Sequence, residues 1–291
     1  MNKIVMVTGA TSGIGRATAL AIAHQGATVI VAGRNPALAE QVVQAIRQET
    51  DNPKVSYMLA DLSAIGSTLA LADQVKARFP RLDVLINNVG GISMERAETV
   101  DGLEYTFALN HLVGHYLLTR QLLGLLQAGA PAHIINVASV GHLFGRIHWD
   151  DLDLRRHYSC WTAYFQAKLA DVLSTYELAR RLAGTGITAN ALYPGMVSTN
   201  FGVTNNPSLA ANRLYRRLLA LFPIKPEQGA KTSVYLATSP EVEGVTGCYY
   251  SRKRPVRSAR ASYREADQQQ LREISEKMLR CHCRELGMEG A

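Results

Sequence analysis

The fold of this chain is decided by the stretch Thr8-Gly9-Ala10-Thr11-Ser12-Gly13-Ile14-Gly15, which joins an apolar run at residues 3–8 to a helical pattern that continues to about Gln25. The apolar run predicts a buried strand. Glycines at positions 9, 13 and 15 let the backbone turn tightly and approach a pyrophosphate, and the new helix aims its N–H groups at the phosphates. We therefore predict a dinucleotide-binding turn; a plain glycine-rich turn is the alternative.

Strand-like and helix-like patterns alternate through most of the remaining chain. This alternation predicts an α/β fold, a Rossmann-type doubly wound parallel sheet with helices on both faces, because parallel strands need crossover helices. In such sheets ligands lie beyond the carboxyl ends of the strands, where the glycine turn is also predicted. The later strands are predicted at 28–33, 54–60, 82–87, 132–137, 187–192 and near 247–250, and the later helices at 36–50, 63–79, 99–127, about 161–184, 226–238 and about 262–285.

Residues 200–225 interrupt the alternation with an amphipathic piece rich in leucine and arginine. We interpret it as a small helical lid inserted over a substrate cleft, and a helix lying in a membrane interface is the competing interpretation. A single catalytic domain is accordingly predicted at residues 1–250. A basic segment and a C-terminal helix at 251–291 are predicted to pack on that domain or to trail it.

Positive charge is concentrated at one place in the chain. The protein has 291 residues and a formal charge of +7, but residues 252–264 hold six cations and no acid, and the rest has 25 basic and 24 acidic residues. The body therefore lacks the basic face that tracks a phosphate backbone, and no nucleic-acid partner is predicted. Attraction of the six cations to nucleic acid or to an anionic membrane stays an alternative to a solvated segment.

The cysteines and the hydrophobic pattern predict a cytoplasmic location. Four cysteines in a chain of this length do not make a disulfide framework, and they fit a reducing compartment. The first strand begins within the first residues, so we expect no leader sequence, and no uninterrupted apolar run of about 18 residues predicts a transmembrane segment. No metal site is predicted, because Cys281-His282-Cys283 is too compact for structural zinc.

Arg34 stands where the second predicted strand ends. A carboxylate here usually accepts from the ribose 2′-hydroxyl of NAD, whereas a cation suits the 2′-phosphate of NADP. We therefore predict NADP(H) in preference to NAD(H), with Ser12 and Arg16 as helpers, and a solvated strand-end arginine is the alternative. Asp61 and Leu62 follow the third strand and are predicted to hold the adenine ring through a carboxylate and an apolar wall.

Tyr164 and Lys168 stand four residues apart near the start of a predicted helix, so both project from the same face. An ammonium beside a phenol favours the phenolate. A tyrosine tuned in this way donates a proton to a carbonyl oxygen or takes one from an alcohol. The pair alone is a weak signal, because such spacings occur by chance on many solvated helices.

Together the motifs resemble those of the short-chain dehydrogenase/reductase superfamily, and within it the retinol-dehydrogenase-like branch, over roughly residues 3–250. Asn87-Asn88-Val89-Gly90 is similar to the family's Asn-Asn-Ala-Gly element. Asn110-His111-Leu112 is similar to the corresponding residues of the retinol-dehydrogenase-like branch. The resemblance implies a catalytic tetrad of Asn110, Ser139, Tyr164 and Lys168. Motifs and resemblance together predict the cofactor-binding residues Gly9, Thr11, Ser12, Gly13, Ile14, Gly15, Arg34, Asp61, Leu62, Asn88, Val89, Gly90, Tyr164, Lys168, Pro194, Gly195, Val197 and Thr199.

The resemblance also implies the chemistry, which is hydride transfer between the nicotinamide and a carbonyl carbon. Tyr164 would give its proton to the carbonyl oxygen, and Ser139 would hydrogen-bond the same oxygen. Lys168 would tune the phenol and hold the nicotinamide ribose, and Asn110 would fix a water behind Lys168. The prediction is an NADP(H)-dependent oxidoreductase that interconverts a carbonyl and an alcohol. A non-enzymatic NADP(H)-binding regulator on the same fold is the alternative.

A lipophilic substrate, a small apolar carbonyl or alcohol, is predicted from apolar residues around the expected cleft. His142 lies three residues after Ser139 and either lines the substrate mouth or is a satisfied loop histidine. A homodimer or homotetramer is implied by the resemblance, because the corresponding helices pack subunits together in many relatives. The predicted substrate residues are His142, Phe144, Met196 and Phe201.

Two positions depart from the family pattern. Val89 replaces the usual alanine and adds bulk where the adenosine ribose would pass. The segment from Asn110 to Thr119 is one residue longer than the spacing typical of the branch, which bears on how its helix presents Asn110.

Overall fold

The computed structural model describes residues 2–195 and 225–285, with side chains through His282. The predicted lid at 200–225, except for Lys225, lies outside these described residues. So do four predicted site residues, which are Met196, Val197, Thr199 and Phe201.

Strands of the described chain form one central sheet, and the predicted doubly wound architecture is confirmed. The sheet order is β3-β2-β1-β4-β5-β6-β7-β8, in which β1 to β7 pair in parallel and β8 adds an antiparallel edge. The order changes direction between β1 and β4, which is the point where such sheets bind ligands. The strands are β1 (Ile4–Thr8), β2 (Thr28–Gly33), β3 (Val55–Leu59), β4 (Val84–Asn87), β5 (Ala132–Val137), β6 (Ile187–Tyr193), β7 (Tyr249–Ser251) and β8 (Arg254–Val256).

Helices cover both faces of this sheet, so apolar side chains of the parallel strands are buried on each side. One long helix has three consecutive parts, which are α4 (Tyr105–Phe107), a π-helical stretch (Ala108–Leu117) and α5 (Leu118–Ala128). The other helices are α1 (Gly13–Ala23), α2 (Pro36–Thr50), α3 (Ile65–Arg78), α6 (Cys160–Arg181), α7 (Pro226–Thr238) and α8 (Glu265–Glu285).

The long helix begins later than its hydrophobic pattern predicts. We expected it from residue 99, but residues 98 and 104 pair as an isolated β-bridge and the helix starts at Tyr105. The cause is the Glu104 carboxylate, which accepts from the N–H groups of Thr106 at 2.8 Å and Phe107 at 2.7 Å. Such a capping side chain satisfies first-turn donors and fixes where the helix begins.

The π-helical stretch overlaps the segment in which the sequence predicts an extra residue. A π turn holds one residue more than an α turn, so an insertion is absorbed inside the helix while α4 and α5 stay α-helical on either side. Gly114 lies in this stretch, where an added Cβ would meet the Leu109 carbonyl oxygen and come to 3.0 Å from the Val89 side chain. The wide turn is therefore packed closely against the loop after β4.

The C-terminal segment packs against the domain. Part of the basic run forms the edge strand β8, and α8 buries Leu271 and Leu279 in the cluster that also contains Leu169 of α6. Arg272 pairs with Glu177 of α6 at 3.0 Å. No helix in the described ranges is long and apolar enough to cross a membrane. The cytoplasmic location stays a prediction.

Candidate active site

The glycine turn joins β1 to α1 at the carboxyl edge of the sheet. Gly9 and Gly13 have φ values of +61° and +52°, in the left-handed region that favours glycine. An added Cβ at Gly15 would meet the Gly9 carbonyl oxygen and would lie 2.5 Å from Nδ2 of Asn88. The turn therefore has no space for a side chain at Gly15.

Asn88 fastens this turn to the end of β4. Its Nδ2 donates to the Thr8 carbonyl oxygen at 2.7 Å. The Thr8 hydroxyl in turn accepts from the backbone N–H groups of Asn88 at 2.9 Å and Val89 at 3.0 Å. The two loops that a dinucleotide would cross are thus held together by side chains whose polar groups are already paired.

The N-termini of α1 and α2 differ in a way that fits a bound phosphate. The Asn35 side chain caps α2 by accepting from the N–H of Leu38 at 3.0 Å. At the same position of α1, Ser12 is exposed and its side chain makes no capping hydrogen bond within the described residues. An anion above the glycine turn would satisfy the first-turn N–H groups that no side chain caps. The site therefore fits the pyrophosphate of a dinucleotide.

Arg34 lies exposed after β2, next to the phenol of Tyr105 at the start of the long helix. Burial raises the pKa of Tyr105, and the charge and hydrogen bond of Arg34 only partly offset this rise. The negative charge of Asp61 also raises the pKa of the Tyr105 phenol. Oδ1 of Asp61 accepts from the Ser63 N–H at 3.0 Å and from the Ser63 hydroxyl at 2.7 Å. Leu62 is 3% exposed and packs into the core, so it offers little surface to an adenine ring.

Several further predicted cofactor residues follow strand ends directly, so they lie at the carboxyl edge of the sheet. Gly195 has a φ of +98°, and an added Cβ on Gly33 would come to 2.5 Å from the Thr11 side chain. The predicted cofactor residues at this edge are Thr11 after β1, Gly90 after β4, and Pro194 and Gly195 after β6. Ile14 lies in the first turn of α1.

Lys168 is buried in the first half of α6, on the same helix face as Tyr164. Its ammonium donates to the Val137 carbonyl oxygen at 3.0 Å and to Oδ2 of Asp171 at 3.0 Å. It also lies 6.0 Å from the centre of the Tyr164 ring. Because an ammonium has three protons, one remains for the side that faces Tyr164 and the sheet edge.

Ser139 comes to the same place from the end of β5. Its hydroxyl accepts from the Gly141 N–H at 3.1 Å, which caps a short 3-10 turn. Gly141 packs against α6, because an added Cβ would lie 2.8 Å from the Phe165 ring and 3.4 Å from Cε1 of Tyr164. The sheet edge therefore brings Ser139, Tyr164 and Lys168 together.

Asn110 lies in the π-helical stretch with its amide fully engaged by the backbone. Nδ2 donates to the carbonyl oxygens of Gly91 at 2.6 Å and Thr106 at 2.7 Å, and Oδ1 accepts from the Gly91 N–H at 3.3 Å. Both amide protons are therefore used, so the side chain has no donor left for a water behind Lys168. Its evident effect is to fix the loop after β4 against the long helix.

The position of His142 corrects its prediction as a substrate residue. It is 1% exposed, with Nδ1 against the Ser139 carbonyl oxygen at 2.6 Å and Nε2 accepting from the Ala259 N–H at 3.1 Å. Burial lowers its pKa. A ring with both nitrogens bonded to backbone belongs to the packing behind Ser139. Phe144, in contrast, is 72% exposed and packs at a tilt against Phe165, with ring centres 5.7 Å apart.

The sequence interpretation missed a buried charged group behind Lys168. Asp171 is 1% exposed, and its Oδ1 lies 3.3 Å from Nδ1 of His111 and 3.2 Å from Nδ1 of His115. Burial alone would raise the pKa of Asp171, but Lys168 and then His115 outweigh burial and hold it well below its usual range. An acid inside the buried stripe of α6, three residues after Lys168, was the signal in the sequence.

Comparison with known proteins confirms the resemblance to short-chain dehydrogenases that the sequence motifs indicate. Residues 3–209 match the family described as short chain dehydrogenase. Retinol dehydrogenase 14 of Mus musculus is 43% identical over 259 residues, which cover 85% of this chain and 77% of that protein. Polyprenol dehydrogenase of Homo sapiens is 40% identical over 277 residues, which cover 93% of this chain and 83% of that protein.

Solved structures are similar to this chain in both fold and sequence. An uncharacterized protein from Mycobacterium Paratuberculosis is 31% identical with a TM-score of 0.76, covering 96% of this chain and 93% of that one. A variant of actinorhodin polyketide ketoreductase with NADPH is 26% identical with a TM-score of 0.65, covering 85% and 94%. With its family match over most of the sequence and its glycine turn, Ser139, Tyr164 and Lys168 at one sheet edge, the chain belongs to the short-chain dehydrogenase family of oxidoreductases acting on CH–OH groups.

Proposed function

We propose that the protein interconverts a lipophilic carbonyl compound and its alcohol with NADP(H), using Tyr164 as the proton donor and acceptor. The observation that carries this proposal is the buried ammonium of Lys168, 6.0 Å from the Tyr164 ring, at the sheet edge that also holds the glycine turn. A cation fixed beside a phenol, next to a dinucleotide site, suits proton transfer coupled to hydride transfer.

The bound cofactor supplies the hydride at its nicotinamide ring. The residues of this chain deal with the oxygen of the substrate. In reduction, Tyr164 gives its phenolic proton to the carbonyl oxygen as negative charge grows there, and the Ser139 hydroxyl donates a hydrogen bond to the same atom. Lys168 stabilises the phenolate that Tyr164 leaves. In oxidation the phenolate takes the proton from the alcohol, and the same groups act in reverse.

The preference for NADP(H) is proposed from Arg34. Its guanidinium lies at the end of β2, where the adenosine ribose of a dinucleotide would lie over the sheet edge. A guanidinium binds a phosphate through parallel, charge-assisted hydrogen bonds. The charges of Arg34 and Asp61 both affect the pKa of the Tyr105 phenol. This end of the site therefore holds one cation and one carboxylate for the adenosine.

A long apolar alcohol or aldehyde, such as a retinoid or a polyprenol, is the proposed substrate class. Two similar proteins are named for such alcohols, retinol dehydrogenase 14 and polyprenol dehydrogenase. On this chain, Phe144 and Trp161 are 72% and 47% exposed, and both rings pack near Phe165, beside Tyr164. An exposed aromatic patch next to the reacting phenol suits an apolar ligand.

The proposal is tested by the consumption of NADPH with carbonyl compounds of graded polarity. We expect turnover with retinal and a polyprenal, and little with short polar aldehydes of equal reactivity. NADH should support less turnover at equal concentration. Absence of turnover with every lipophilic carbonyl, in a protein shown to bind NADPH, would contradict the proposed activity.

A homodimer or homotetramer is proposed from family membership alone. The α8 helix already packs on α6, burying Leu271 and Leu279. An assembly through that side of α6 would therefore have to include α8 at the interface. Sedimentation of the full chain measures the state.

A further inference from the structure

Behind the proposed proton donor, one carboxylate is shared by three basic side chains. Oδ2 of Asp171 is 3.0 Å from the Lys168 ammonium, and Oδ1 is 3.3 Å from His111 and 3.2 Å from His115. Every member of the group is at most 3% exposed. Coulomb interactions are strong at such distances without water, so the protonation of each base affects the others.

The tautomer of His115 follows from its partners. Nε2 lies 2.9 Å from the Val89 carbonyl oxygen, which only accepts, so Nε2 carries a proton. Nδ1 then faces Oδ1 of Asp171 with a lone pair when the ring is neutral, and it has no hydrogen-bond partner among the described residues. At 3.2 Å, a protonated Nδ1 would be within hydrogen-bonding distance of Oδ1 of Asp171.

His111 competes for the same oxygen. Its Nδ1 is within hydrogen-bonding distance of Asp171, and its buried Nε2 has no partner in the described part of the chain. Burial lowers the pKa of His111, Asp171 raises it in part, and the charges of His115 and Lys168 lower it further. The charge on Lys168 thus lowers the pKa of His111 directly.

A cavity connects this buried group to the surface. Its volume is about 210 Å³, and it runs along α6 from the two histidines and Asp171 to Arg181, which is exposed. A cavity of this size, lined in part by polar side chains, has room for several waters. The His111 and His115 rings form part of its wall. The charged or titratable groups at its outer end are Tyr116, Arg120, Glu177, Arg181 and Glu276.

We propose, resting on the proposed function, that Asp171 is a positioning residue for Lys168 and that His111 and His115 control how firmly it holds the ammonium. When the histidine pair is neutral, Asp171 gives its full charge to Lys168 and offsets the effect of that cation on Tyr164. When a histidine takes a proton from the cavity, Asp171 is neutralised from the other side, and Lys168 acts on Tyr164 with its charge uncompensated. The cavity thereby makes turnover sensitive to pH at a distance from the substrate.

The first test is made on the protein without cofactor. The nitrogen signals of the histidine rings are followed by NMR from about pH 3 to pH 9, and are assigned with single His→Gln variants. We expect Lys168→Met to move the titration of His111 to higher pH by about one unit, because a competing cation is removed. Asp171→Asn should move it to lower pH. His133 is the internal control and should not move, because it lies in β5 with Thr188 as its partner.

A third variant guards against misfolding of Asp171→Asn, which leaves Lys168 buried without its carboxylate. In His115→Gln, the titration of His111 should move to higher pH, because His115 no longer competes for Asp171. If neither Lys168→Met nor His115→Gln moves the titration of His111, the carboxylate is not shared and the proposal is overturned.

The second test follows kcat/KM for carbonyl reduction against pH. Asp171→Asn should move the alkaline limb to lower pH by about one unit, because Lys168 then stabilises the phenolate uncompensated. Asp83→Asn is the matched control, since Asp83 is also buried but binds the Ile4 N–H at 2.6 Å, away from this site. A uniform fall in rate with an unchanged profile would show a structural role only. Failure of the wild type to turn over would contradict the proposed function, and the NMR titration would still decide the charge sharing.

Discussion

The turn between β1 and α1 and the group behind Tyr164 are neighbours at one sheet edge, but they are held by different physical means. In the turn, left-handed glycines and the Asn88 amide fix the backbone, and the polar groups that face a ligand are N–H groups. Behind Tyr164, buried charged side chains balance one another around Asp171. Changes in the turn should therefore act through shape on cofactor affinity. Changes behind Tyr164 should act through charge on rate and its pH dependence.

Removal of the Tyr164 hydroxyl gives the largest expected effect and tests the charged half. Tyr164→Phe should lower kcat by about 1,000-fold, since general acid catalysis contributes roughly that much, while NADPH affinity stays within about twofold. Tyr176→Phe is the matched control on the same helix, because its hydroxyl bonds Ser258 at 2.7 Å away from the sheet edge. Equal turnover in Tyr164→Phe and the wild type would remove Tyr164 from the chemistry.

The shape-based half is tested by adding one methyl group. Gly15→Ala should weaken NADPH binding by about 100-fold or more, because the new Cβ meets the Gly9 carbonyl oxygen and lies 2.5 Å from the Asn88 amide. Gly124→Ala in α5 is the control, since nothing lies within 4 Å of its added Cβ. This control should raise the free energy of unfolding by about 0.5–1 kcal/mol and leave binding unchanged. Fluorescence titration and thermal melting measure both, and normal NADPH affinity in Gly15→Ala would refute the close packing.

Arg34 sharpens the comparison, because it is a charged side chain proposed to act in the half that is otherwise held by shape. Arg34→Asp should weaken NADPH by about 30-fold or more and NADH by less than about threefold, as expected when a phosphate loses a charge-assisted pair. Ratios of Kd from competitive titration give the answer. Equal losses for both cofactors would mean that Arg34 does not contact the 2′-phosphate.

The smallest effect concerns a buried histidine that has no carboxylate beside it. Burial and then the Lys3 charge lower the pKa of His133 to about 4, against about 6.5 in an unfolded chain. Between these values the unfolded chain takes up a proton that the folded chain does not. The free energy of unfolding should therefore fall as the pH drops from about 6.5 to about 4, by at most about 1.4 kcal/mol per pH unit from this residue.

Denaturant unfolding of the wild type and of His133→Gln measures this slope. The slope should be shallower in the variant, because one titrating ring is removed. A slope that is the same in both proteins would show that His133 is not the buried neutral base that its surroundings indicate.

The two halves also differ in how well the sequence predicted them. The glycine turn, the doubly wound parallel sheet and Arg34 after the second strand depend on local spacing, so the alternation of elements and the turn chemistry suffice to find them. Tyr164 and Lys168 were found in the same way, from four-residue spacing on one helix face. Of these, the sheet architecture and the family are confirmed, and the roles of the site residues stay proposals.

Other features could not be predicted, because they depend on contacts between distant residues. The carboxylate of Asp171 acquires its meaning only when the long helix brings His111 and His115 against α6. His142 is a comparable case, since its burial depends on the Ala259 N–H of the C-terminal segment, 117 residues later. The predicted start of the long helix was wrong, because an apolar periodicity carries no information about a capping acid such as Glu104.

The transfer of isotope tests the central claim most directly. NADPH carrying deuterium at both C4 positions is mixed with retinal and the enzyme, and the alcohol is analysed by mass spectrometry. A hydride-transferring oxidoreductase predicts an alcohol with one deuterium on its carbinol carbon, with formation abolished in Tyr164→Phe. An alcohol without deuterium, or no alcohol while NADPH is bound, would contradict the account.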